Sequence, residues 1–120
     1  MLRVVNVAEA LGRFEEAWKP HIAGQVNDMQ VKVVKFRGEF VWHHHEREDE
    51  MFLVVKGTMR LRTRDGDLRI KEGEFVIVPK GVEHCPAAEG EVHVLLFEPA
   101  TTLNTGNVRN ERTREALDAV

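Results

Sequence analysis

Three consecutive imidazoles, His43, His44 and His45, are the part of this 120-residue chain best equipped for chemistry. They sit inside an extended pattern. Side chains alternate faces along a strand, so His43 and His45 point one way and His44 the other. Two imidazoles at i and i+2 on one face can share a metal ion. Glu50 stands at the head of the next apolar run and can bring a carboxylate to the same point. His84, in a third segment just after the turn Pro79-Lys80-Gly81, can add a third imidazole. Three imidazoles and one carboxylate form a donor set suited to a divalent first-row ion such as Fe, Mn, Ni, Co, Cu or Zn. On an octahedral ion this set leaves two positions for substrate, water or O₂, and an open position separates a catalytic site from a closed structural one. The competing reading is a solvated surface cluster, since Glu46, Arg47, Glu48 and Asp49 follow at once.

Such side chains need strands to hold them, and the chain supplies short ones. Gln30–Phe36, Phe40–His45, Glu50–Lys56, Thr58–Arg64, Leu68–Ile70, Glu74–Val78 and Glu91–Phe97 read as strands separated by Gly- and Pro-containing turns. Asp65-Gly66 is the strongest two-residue hairpin signal among them. Short strands at this spacing, with no helix between them, predict an all-β antiparallel sandwich or small barrel over about residues 29–98. Ahead of it, Asn6 as N-cap, Glu9 three residues on, and Ala8, Leu11, Phe14 and Trp18 at helical spacing predict a helical segment over about residues 6–19, closed by Pro20. Residues 99–120 read as an irregular or partly helical tail, with a second helical stretch from about Asn110. The whole is expected to be one domain.

Written out, the central stretch is Gly38-x₄-His43-x-His45-x₄-Glu50-x₆-Gly57, followed by Gly73-x₅-Pro79-x-Gly81-x₂-His84. This resembles the two motifs of the cupin superfamily, here of the short single-domain cupin-2 conserved-barrel kind, some members of which carry the label mannose-6-phosphate isomerase-like. The resemblance implies a double-stranded β-helix, or jelly-roll, barrel. It also implies that His43, His45, Glu50 and His84 are the metal ligands. Two departures stand out: four residues in place of the usual five precede His43, and Ala88 stands where the second motif often has Asn. Phosphate-binding and proton-transfer residues of a true isomerase of that kind are not found. The family likeness further implies a homodimer.

Composition bounds the rest. Seventeen basic and twenty acidic residues give a net charge of −3, without the basic excess of a nucleic-acid binder. The longest apolar run, Met51–Val55, is far short of the ~20 residues that span a bilayer. Glu9 interrupts the N-terminal stretch before a signal-peptide core forms, and the single Cys85 permits no intrachain disulfide, so a cytoplasmic location is expected. Cys85 should be a packed, inert thiol on the face opposite His84. His93 reads as a core or surface residue and not a ligand. Arg60, Arg62 and Arg64 read as the solvated face of a hairpin whose other face (Met59, Leu61, Leu68, Ile70) packs inward, while Phe36, Trp42, Phe52 and Phe75 read as barrel lining. The segment Leu103–Asn107 either closes one barrel mouth or packs on a partner. Two functions follow: a metal-dependent enzyme for a small organic molecule, such as an oxygenase or isomerase, or a non-catalytic module that binds a small molecule or metal.

Overall fold

The computed structural model describes residues 2–120. One short helix, α1 (Val7–Leu11), precedes seven strands: β1 (His21–Val26), β2 (Met29–Glu39), β3 (Glu50–Lys56), β4 (Met59–Thr63), β5 (Gly66–Ile70), β6 (Phe75–Val78) and β7 (His84–Pro99). All pairings between strands are antiparallel, in the order β1-β2-β7-β3-β6, with β4 joining both β5 and β7. The sixteen-residue β7 is long enough to serve both layers. Its first half pairs with β4 and the end of β2, and its second half lies between β2 and β3. The ladder with β2 slips between Arg37 and Gly38, where the chain bends into the barrel. This is the jelly-roll barrel expected from the motifs.

Period-two alternation places the core. Val34 and Phe36 of β2, Phe52 and Val54 of β3, and Val92, Val94 and Leu96 of β7 share one buried cluster with Met59, Leu61 and Ile70. Each fully buried side chain of this size contributes about 1.5–3 kcal/mol relative to exposure. Trp18 closes one end, stacked on Phe36 at 4.4 Å and on Phe40 at 4.6 Å.

Several local expectations change. The helical segment stops at Leu11, capped by Gly12, although Asn6 does accept from the Glu9 N–H at 3.0 Å. A helix running to residue 19 would stack Phe14 and Trp18 side by side on one face. Here they lie on opposite faces of β2: Phe14 accepts from Lys35 and stacks on His21, while Trp18 packs on Phe36. The polar stretch over residues 24–28, for which no strand is expected, is the end of β1 (His21–Val26) and its turn into β2, made by Asn27 at φ 53, a conformation Asn tolerates. Phe40–His45 forms no ladder, touching β7 through the Phe40 N–H to Pro86 carbonyl bond and one bridge, His43 to His84. In the β4–β5 hairpin Thr63 pairs with Gly66, so Arg64-Asp65 form the loop, one residue earlier than expected, with the Thr63 hydroxyl bonded across it. Trp42 lies under the guanidinium of Arg64 at 3.8 Å instead of in the barrel, and Phe75 and Leu68 are exposed. The tail has no helix from Asn110; its turns are tied by Asn104, Asn110 and the Thr105–Thr113 hydroxyl pair. Among the described residues, no helix is long and apolar enough to cross a membrane.

Candidate metal centre

His43, His45, Glu50 and His84 converge. One donor atom from each lies within 4.8 Å of all the others, and all four side chains are buried. Glu50 opens β3, His84 opens β7, and the two remaining imidazoles come from the loop entering β3. Reciprocal backbone bonds between His43 and His84, at 2.9 and 3.0 Å, lock the two motifs together, and Gly81 N–H donates to the His45 carbonyl at 2.7 Å. The Nδ1 atoms of His43 and His84 each lie 2.9 Å from a backbone carbonyl, those of Val41 and Val82. A carbonyl can only accept, so each Nδ1 is the protonated nitrogen and each Nε2 keeps a lone pair for the centre.

Three of the inward atoms, His45 Nε2, His84 Nε2 and Glu50 Oε1, are buried without a hydrogen-bond partner. Buried polar atoms are ordinarily satisfied, so three converging orphans need an occupant. Glu50 Oε1 lies 3.3 Å from His45 Nε2 and 3.5 Å from His84 Nε2. Burial, followed by the charge of His84, pushes His43 down to about 4, so at neutral pH it offers a free lone pair. For Glu50, burial pushes upward, but the imidazoles of His45 and His84 beside it outweigh this and hold the carboxyl well below the usual range. A neutral His43 beside an ionised Glu50 matches the protonation states a divalent cation requires. The donor set therefore fits a metal ion.

The tail covers this loop. Asn107 N–H donates to the His44 carbonyl at 3.1 Å, and the His44 N–H donates to Asn107 Oδ1 at 2.8 Å. Between them Gly106 adopts φ 56, and a Cβ there would overlap the His44 carbonyl oxygen and stand 2.9 Å from His43 Cδ2. Residues 106 and 107 thus lie against the histidine loop. Gly106→Ala is expected to cost about 2–5 kcal/mol, summing left-handed strain and overpacking, in a urea unfolding experiment. A cost below about 0.5 kcal/mol, the ordinary range for a neutral surface change, would show the tail is not seated there.

Other sequence expectations resolve individually. Cys85 is buried, and burial with the Glu39 charge raises its thiol to about 11, so it is inert. His93 bonds to Glu91 at 2.9 Å, away from the centre. Arg60, Arg62 and Arg64 pair with Glu89, Glu39 and Glu83 on the outer face. Sequence reasoning missed Lys32 and Glu98, which pair at 2.5 Å in the interior. Burial, then the charge of Glu50, raises the Glu98 carboxyl well above its ordinary value, with Lys32 pulling the other way. A signal existed: Lys32 falls on the same period-two face as Val34 and Phe36, and Glu98 on that of Val94 and Leu96.

The family model described as Cupin domain matches residues 29–98. A solved cupin-2 domain containing protein from Shewanella frigidimarina is 41% identical, with a TM-score of 0.79, and the match covers 80% of this chain and 94% of that one. The YdbB protein of Bacillus subtilis is 29% identical over 85 residues, covering 70% of this chain and 75% of its own. A 3-hydroxyanthranilate 3,4-dioxygenase of Brucella anthropi is 26% identical over 110 residues, covering 82% of this chain but only 60% of its own length.

Proposed function

The chain belongs to the cupin domain family, and on that premise we propose that it holds a divalent transition metal at His43, His45, Glu50 and His84 and acts there on a small organic molecule. The observation that carries the reading is the convergence of three buried, unpartnered donor atoms on one point. The ion, when bound, supplies Lewis-acid or O₂-binding chemistry. The protein contributes the rest. Val41 and Val82 fix the imidazole tautomers, Glu50 supplies the anionic donor, and Trp18, Phe36, Phe40 and Phe52 wall the adjoining cavity and exclude water. Likeness to a dioxygenase supports an oxygenase among the candidate reactions. The test is oxygen consumption by the iron-loaded protein with a panel of small hydroxylated acids. Turnover that vanishes in His45→Ala supports catalysis; tight binding of a panel member that is recovered unchanged supports the non-catalytic module instead.

The outer sheet face supports a homodimer. Two cross-strand rows, Ile77-Met51-Phe97-Val31 and Phe75-Leu53-Leu95-Val33, run over β6, β3, β7 and β2. Helix α1 packs on Val33 at one end, while Phe75 and Ile77 stay exposed at 60% and 55%. Apolar rows of this extent mark interaction surfaces, and a two-fold pairing would bury the same rows from both subunits. Wild-type protein is expected to run as a dimer in light scattering after size exclusion, and Phe75→Lys with Ile77→Lys as a monomer of unchanged circular dichroism. A monomeric wild type contradicts this. The single buried thiol of Cys85 supports a cytoplasmic location.

A further inference from the structure

Lys32 and Glu98 enter the barrel from β2 and β7 with side chains only 1% and 2% exposed, and Lys32 Nζ donates to Glu98 Oε2 at 2.5 Å. An ion pair at this depth is a weak device for stability, because apolar residues of similar volume commonly serve as well or better. The pair also occupies only one carboxyl oxygen. Glu98 Oε1 is buried without a partner, and Glu98 lines the same cavity as His43 and Glu50, walled by Trp18, Phe36 and Phe40. That cavity measures about 30 Å³, enough for one or two water-sized groups and not for a ring. Whatever reaches Glu98 is therefore the small end of a ligand. Lys32 already donates to Oε2, so Glu98 in the ionised form of that pair keeps Oε1 as an acceptor that asks for an N–H or O–H donor.

We propose that Glu98 Oε1 anchors the cavity's ligand by accepting a hydrogen bond from a donor group adjacent to the ligand's metal-binding oxygen, with Lys32 holding the carboxyl in place. The class recognised is a small chelating molecule that carries a hydroxyl or N–H beside a coordinating oxygen. The inference rests on the reading of His43, His45, Glu50 and His84 as a metal centre.

Acetohydroxamate and N-methylacetohydroxamate, which differ by one N–H donor, probe it by calorimetric titration of the cobalt(II)-loaded protein. Wild type is expected to bind the first at least about tenfold more tightly, the range for a hydrogen bond to a charged group. In Lys32→Met with Glu98→Leu the preference should fall below twofold while cobalt is retained. In Glu98→Gln, which keeps a neutral acceptor, an intermediate preference of about threefold is expected, and this variant carries the test if the double variant does not fold. No preference in wild type overturns the proposal. So does a preference that survives removal of the carboxyl, since it would then come from the bulk of the methyl group. A wild type that takes up no cobalt overturns the underlying metal reading, which a direct cobalt titration distinguishes.

Discussion

Glu50→Gln is expected to lower metal affinity by at least about 100-fold, because groups one shell farther out are already worth 10–100-fold. The substitution keeps the side-chain volume and removes the only anion among the four converging donors. Its consequence is readable as stability. A ligand at one hundred times its dissociation constant stabilises the folded state by about 2.7 kcal/mol, and a 100-fold loss of affinity reduces this to about 0.4 kcal/mol at the same concentration. Metal-free wild type and metal-free Glu50→Gln supply the two baselines, because the substitution also removes an ionised carboxylate that its neighbours favour. Thermal unfolding with and without metal separates the two effects. Equal metal stabilisation of variant and wild type would remove Glu50 from the centre.

The second large effect falls on Lys32. Lys32→Met leaves Glu98 as an unpaired acid in the barrel and is expected to cost about 3–5 kcal/mol in urea unfolding at pH 7. Protonation of the carboxyl, already favoured by burial and by the neighbouring Glu50 charge, holds the cost toward the lower end of that range. Lys32→Met with Glu98→Leu should recover most of the loss and lie within about 1 kcal/mol of wild type, as exchanged buried pairs commonly do. A single variant that costs less than about 1 kcal/mol would mean that water reaches the pair and screens it.

The four converging residues were legible because they flank turns. Glu50 opens one strand and His84 another, and their spacing from the Gly- and Pro-containing turns survives in a linear motif. The alternation of His43 and His45 also held, with both buried, although no ladder supports that segment and separate backbone bonds to His84, Gly81 and Pro86 take its place. Lys32 and Glu98 were harder to see. They are sixty-six residues apart and only become neighbours once β2 and β7 pair in register. A charged residue on an apolar alternating face was the available clue.

The outer elements were misread for a different reason. Phe14 and Trp18 have helical spacing, but tertiary packing on opposite faces of β2 overrides it. Trp42 and Phe75 are as apolar as Phe36 and Phe52, yet one lies under arginines and the other on the open sheet face. Aromatic identity alone does not say which side of a strand a residue faces; the inward register does. Gly106 gave no local pattern, since its constraint comes from the carbonyl of His44, sixty-two residues earlier, and only the folded tail brings the two together.

The proposed centre is one ion held by His43, His45, Glu50 and His84. The most direct measurement is anomalous diffraction across transition-metal absorption edges from crystals of protein expressed with iron and manganese available, with elemental analysis of the same preparation. One peak per chain among these four side chains and close to one equivalent of metal are expected, both lost in Glu50→Gln, as tightly held sites of this donor type require. Protein holding less than about a tenth of an equivalent of any transition metal, with no peak at that point, would contradict it.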